Sequence, residues 1–233
     1  MLRSYLVYIS QKIGLYQWAV KQDTRRRERK LKKAFDKYGL EALQQADKAF
    51  RSEGCFIFPT FGTLLGAYRE KGFIPHDNDL DVGILSDQQP HDVAGLLSKF
   101  GFQHKKQFYL KENNKVIEDV YSYKGVQIDF FTYFTTDEDM YCYITRRHEY
   151  KDWRKANETD GFPTDLSWVS KSAFSEQDFL GLTLYMPDQT HQWLEDIFGA
   201  SFMTPIKNWS AKNHTTRIKH HTERAYRRYF HKT

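Results

Sequence analysis

Two acids two residues apart, Asp79 and Asp81, stand in the run DLDVGIL (79–85). A strand has a period of two, so both would share one face while Leu80 turns to the core. Carboxylates held that close repel unless a proton or a cation lies between them. A divalent metal shared with substrate phosphates resolves the repulsion, and Mg2+ is the usual ion; Mn2+ has the same taste for oxygen ligands. A third acid, Asp129, lies inside another apolar run, VQIDFFTYF (126–134). A carboxylate rarely enters such a strand without a partner.

Upstream, Gly62-Thr63 follows the apolar CFIFP (55–59). Glycine lets backbone amides approach a phosphate, and the hydroxyl adds a donor. Arg69 offers a guanidinium that can grip two phosphate oxygens, or a plain ion pair. Asp77 either adds a further acid or caps a turn. Each feature is common by itself. Their order is what counts: strand, Gly-Thr, short helix, strand with two acids, later strand with one. Three acids on adjacent strands can hold one or two metals for in-line phosphoryl transfer.

The elements that must position these residues are legible in outline. Residues 24–53 carry apolar side chains at helical spacing and stop at Gly54. Residues 63–70 predict a short helix and 79–85 a strand. A helix over 90–100 closes at Gly101, and three strands follow over 102–111, 114–123 and 125–134. Lys124-Gly125 predicts a tight hairpin between the last two. A strand over 181–186 ends at Pro187, and Asp188 could cap a helix that runs to Phe198 before Gly199. The basic end, with Tyr226 and Tyr229 among arginines, reads as a helix. The expected fold is mixed α+β: a twisted mixed sheet with the acids on one face and helices on the other. Residues 1–54 form a helical segment, 55–206 the catalytic domain and 207–233 a basic helical tail.

The same residues carry a resemblance. The order of motifs is similar to that of the nucleotidyltransferase superfamily related to DNA polymerase β. More narrowly, GTLLGAYREKGFIPHDNDLDVGI (62–84) resembles the signature of the LicD family, which includes the fukutin-like proteins. FLGLTLYMP (179–187) and IFGASFMTP (197–205) resemble two later elements of that family. His76 stands where the family usually has Trp, and Phe198 where it has Tyr. The resemblance implies transfer of a substituted phosphate from a CDP-activated alcohol, such as CDP-choline or CDP-ribitol, to a sugar hydroxyl of a cell-surface glycan, free or lipid-linked. CMP would leave. It further implies that Asp79 and Asp81 hold Mg2+ on the donor, that Asp129 holds a second metal or takes the acceptor proton, and that Gly62, Thr63 and Arg69 meet donor phosphate.

Composition bounds the rest. At 40% hydrophobic and 28% charged, the chain is neither disordered nor a multi-span membrane protein. Two cysteines, Cys55 and Cys142, cannot build a disulfide scaffold, which favours a reducing compartment. No secretory leader is visible, and no apolar run reaches the roughly 18 residues of a span. The expected place is therefore the cytoplasm, with peripheral contact at the inner face of the membrane. Residues 1–34 carry a net +8 and 207–233 a net +7, so the middle is acidic. Basic ends suit an anionic membrane surface or a phosphate-bearing glycan, and equally two solvated helices. Residues 5–20 would pack on the domain or on a second copy of the chain, or lie in a membrane interface. Nucleic acid is the least favoured partner. Arg146, Arg147 and His148 form either a second phosphate patch or a solvated helix. Three other readings stay open: a nucleotidyltransferase moving an NMP to a small molecule or RNA end, a glycosyltransferase using D-x-D, and a non-catalytic scaffold that binds glycans or anionic surfaces.

Overall fold

A computed structural model describes residues 15–146, 161–206 and 217–230. The first described element, α1 (Leu15–Arg51), is a helix of 37 residues. Only its second half is amphipathic enough to bury a face: Phe35, Leu43, Ala46 and Phe50 enter the core, while residues 21–30 are exposed throughout. The apolar stretch over 5–20 lies largely outside the described residues.

Among the described residues ten strands follow: β1 (Phe58–Pro59), β2 (Asp79–Leu85), β3 (Gln103–Leu110), β4 (Val116–Tyr123), β5 (Val126–Thr135), β6 (Asp139–Thr145), β7 (Phe162–Ser170), β8 (Phe174–Phe179), β9 (Leu182–Pro187) and β10 (Ile218–Tyr229). Between β1 and β2 lie α2 (Phe61–Leu65) and a π-helical turn (Gly66–Glu70). The other helices among the described residues are α3 (Val93–Lys99) and α4 (Thr190–Phe198). Eight strands make one sheet in the order β1-β2-β5-β4-β3-β10-β7-β6, and β8 and β9 pair as a separate hairpin. The β2–β5 pair is parallel and the other pairs are antiparallel, so the sheet is mixed, as expected from the sequence.

The sheet forks at β5. One edge of β5 pairs with β2 through Tyr133, while the other is shared. There β4 takes residues Val126 to Phe131 and β6 takes Tyr133 to Thr135. The fork leaves a cavity beside Phe131, which the active-site geometry below occupies. The hairpin between β4 and β5 turns at Lys124-Gly125, both at positive φ (47° and 89°). Positive φ at both central residues matches the twist of the flanking strands.

The core lies on the side of the sheet covered by the C-terminal half of α1. Phe50 stacks on Phe130 at 5.7 Å, and Leu80, Val82 and Ile128 are fully buried there. A second aromatic cluster joins Phe58, Tyr133, Phe174 and Trp193, and thereby fixes α4 and the β8–β9 hairpin against β1.

Two expectations are corrected. Residues 218–229 of the tail are not helical: they form β10, which pairs with β3 on one side and β7 on the other, while 207–216 and 231–233 lie outside the described residues. Two facing edges left unpaired would cost many backbone hydrogen bonds, and that outweighs the helical look of the Arg/Tyr spacing. Asp188 does not cap α4; its side chain instead accepts from the Ser175 hydroxyl at 2.5 Å, and the N-cap position falls to Gln189.

Candidate active site

The acids sit where strand periodicity puts them. In β2, Leu80 is fully buried while Asp79 and Asp81 point to the opposite face. The parallel register with β5 sets Asp81 directly beside Asp129. Asp129 is 6% exposed, and Gln127 donates to both of its oxygens at 3.0 and 3.2 Å. Asp77 approaches from the turn before β2, whose backbone is closed by the bond from Asp77 N to Ile74 O.

Burial and mutual repulsion dominate the electrostatics. Burial, then the charges of Asp79, Asp129 and Asp77, hold the Asp81 carboxyl well above the usual carboxylate range. Only the Gly62 amide, donating at 3.3 Å, works the other way. Burial and Asp79 push Asp77 up to about 6. Such a cluster takes up either protons or a cation. Its donor set is all oxygen, the preference of Mg2+ and Mn2+. Among the described residues, no three His, Cys, Asp or Glu side chains already converge in a metal-holding arrangement. The residues fit a hard cation by charge and by donor type.

The Gly-Thr pair holds this cluster from above. Thr63 is buried, and its hydroxyl accepts the Asp81 N–H at 2.8 Å. It therefore positions the backbone of the acid-bearing strand. Gly62 lies against the acids themselves. A Cβ there would stand 3.2 Å from Asp77 Oδ2 and 3.4 Å from Asp81 Oδ2. Phe61 enters α2 at φ 41°, a conformation that a bulky residue adopts only under constraint. Arg69 donates to Glu70 at 2.7 Å and to the Phe202 carbonyl at 2.9 Å.

A cavity of about 670 Å3 connects these parts, a size typical of small-molecule sites. Gly62, Arg69, Asp77, Asp79 and Asp81 line its acidic end, and His76 stands beside them. Thr63 and Asp129 lie behind the lining rather than in it. Phe198 and Phe202 form an aromatic wall, supplied by the end of α4 and the turn after it. On the far side the lining passes through Ile144 and Arg146 to Asp165 and His220.

That far side was not legible in the sequence. Asp165 is 4% exposed and bonds His220 Nδ1 at 2.6 Å, with Arg146 Nε at 3.5 Å. The three come from β7, β10 and the end of β6, and only strand register joins them. Arg146 lines the cavity, paired with Asp165; Arg147 and His148 lie outside the described residues.

Comparison with known proteins agrees with the motifs. The family model described as "LicD/FKTN/FKRP, nucleotidyltransferase domain" matches residues 54–189. The ribitol-5-phosphate transferase FKTN of Mus musculus is 26% identical over 183 residues, 77% of this chain and 36% of the relative. The human FKTN matches to the same extent. The chain thus spans about a third of the length of these curated relatives. An uncharacterised protein of Rickettsia typhi is 42% identical over 55 residues, 24% of this chain and 16% of its own. The family match covers more than half of the chain and takes in the Gly-Thr pair, all four clustered acids and the strand that aligns them: the chain belongs to the LicD/FKTN/FKRP nucleotidyltransferase-domain family.

Proposed function

We propose that this protein transfers a substituted phosphate from a CDP-activated alcohol to a sugar hydroxyl of a glycan, with release of CMP. The observation that carries the reading is the parallel register of β2 and β5. It sets Asp81 against Asp129 and leaves Asp77 and Asp79 beside them at the mouth of one cavity. Three carboxylates facing a cavity, with Asp129 behind them, repel an anionic substrate unless a cation joins them, and donors with a diphosphate arrive with one. Asp79 and Asp81 would hold Mg2+ or Mn2+, with Asp129 behind them. When bound, the cation neutralises charge on the diphosphate as CMP departs. Membership of a family that includes FKTN, named a ribitol-5-phosphate transferase, supports a polyol-phosphate donor.

Every other part of the reading falls to the chain's own residues. Gly62 leaves room for a phosphate oxygen next to the acids. Arg69, anchored on Glu70 and Phe202, presents its guanidinium to the cavity. Phe198 and Phe202 offer a face on which a nucleobase can stack, worth about 1–3 kcal/mol.

Thermal stabilisation by CMP, CDP, CTP, UMP, AMP and GMP, each with and without Mg2+, tests the reading. Ligand at about 100 times its dissociation constant adds about 2.7 kcal/mol. A shift confined to cytidine nucleotides, dependent on Mg2+ and lost in Asp79→Ala, is the expected result. A nucleotidyltransferase moving an NMP is the second reading, favoured by the description of the matching family model. Pyrophosphate release from an NTP, with no CMP release from a CDP-alcohol, would establish it instead.

A further inference from the structure

The cavity has two chemically distinct ends. One is carboxylate and suits the donor's diphosphate. The other holds an imidazole whose Nδ1 is fixed on a buried carboxylate, a pair that the family motifs do not contain. Register builds this pair: Ile144, Asp165 and His220 lie opposite one another across β6, β7 and β10. Asp165 is buried, while the His220 side chain is 75% exposed and lines the cavity. An imidazole that donates from Nδ1 to a carboxylate keeps its other nitrogen, Nε2, as a proton acceptor. Buried Asp and open His is the arrangement by which a carboxylate sets tautomer and orientation for a base.

The transfer needs such a base, and the acidic end is a poor place to find it. Asp129 already accepts from Gln127 on both oxygens. Asp79 and Asp81 are engaged with a cation in the transfer reading. His76, the other imidazole among the described lining residues, adjoins Asp77 at that same acidic end.

We propose that His220 is a catalytic residue on the acceptor side of the cleft and that Asp165 is its positioning residue. The inference rests on the transfer reading and deepens it. The acceptor oxygen attacks the phosphorus that carries the alcohol, and a new P–O bond forms. The bond from that phosphorus to the bridging diphosphate oxygen breaks, and its electron pair leaves on CMP. The hydroxyl proton passes to His220 Nε2. The acceptor is thereby a neutral, hydroxyl-bearing sugar at its reacting end.

The test uses the full chain with CDP-ribitol, CDP-choline and CDP-glycerol, and reads CMP release alongside the thermal shift by CMP with Mg2+. Wild-type protein that gives neither signal overturns the transfer reading, and this proposal with it. Given both signals, His220→Ala should keep the CMP shift and the donor KM while kcat falls about 100- to 10,000-fold. Added imidazole should restore part of the loss. Asp165→Asn should lower kcat by at least about tenfold at unchanged KM. His220→Gln gives the same comparison of kcat with KM if the alanine variant does not fold. A kcat within about threefold of wild type in the His220 variants overturns the proposal. So does a loss in His220→Ala that imidazole leaves unrelieved.

Discussion

Gly62 is the residue at which backbone shape and charge meet. Its missing Cβ leaves room that two carboxylate oxygens press upon. Gly62→Ala should fold, because the contacts of 3.2 and 3.4 Å are tight but fall on side-chain oxygens. Metal affinity should drop by about tenfold or more, as the acids are pushed from their shared position. Isothermal titration with Mn2+ reads this directly, and an unchanged affinity would sink the role. The acids themselves tie stability to pH. Asp77 titrates near 6 in the folded chain against an ordinary 3.8. An acid with a raised folded value holds its proton more tightly when folded. Its contribution is therefore full below about 3.8 and is lost as pH climbs through about 6. In chelator, the melting temperature of wild type should decline relative to Asp77→Asn over this window, and Mg2+ should remove the decline. Parallel curves would refute it. The acidic end was readable in the sequence because period-two spacing is local. Asp165 and His220 were not, since 55 positions separate them and only β7–β10 pairing joins them.

Among the elements, β1 and β2 are locked through one close approach. Gly83 lies opposite Phe58, and a Cβ at Gly83 would fall 2.2 Å from the Phe58 ring. That ring is fully buried against Phe174 and Trp193. Gly83→Ala should therefore cost about 1–3 kcal/mol in urea unfolding, with little effect on the acids' affinity for metal relative to Gly62→Ala. Entry into β10 depends on Arg217. It donates to Asp139 at 2.7 Å and reaches Asp196 at 3.4 Å, while Asp196 also accepts from Ser170 N and Oγ. Arg217→Met should lower stability by about 1–3 kcal/mol, because a buried carboxylate loses a charged donor. A change below about 0.5 kcal/mol would mean the latch is ornamental. The strands β2 to β5 matched their sequence signals closely, since each rests on local periodicity, whereas α1 starts nine residues before the expected 24 and the helix expected over 63–70 divides into α2 and the π-helical turn. β10 did not match its signal. Its burial alternates only at Ala225 and Arg227, and Arg227 sets its guanidinium over the Phe162 and Tyr229 rings, 5.4 and 4.5 Å from their centroids. A buried arginine breaks the polar-out rule by which strands are read.

For the whole molecule, charge is set apart from the site. The acids occupy the cavity, while residues 21–30 of α1 leave their side chains exposed, with six Lys or Arg among them. No helix among the described residues is long and apolar enough to cross a membrane. The exposed cationic stretch should bind anionic vesicles and not zwitterionic ones, and the binding should weaken as salt shortens the Debye length from about 10 Å at 0.1 M to about 3 Å at 1 M. Co-sedimentation checks this; equal binding to both vesicle types would rule out the electrostatic contact. The seating of β10 between β3 and β7 bears on how the chain is made. A sheet whose middle is filled by residues 218–229 cannot close while those residues are still untranslated. Until then β3 and β7 each present a bare edge, and the proposed base is absent from the cleft. The strands made before β10 therefore hold an incomplete sheet, open to chaperones, and the cleft is completed only once residues 218–229 have been synthesised.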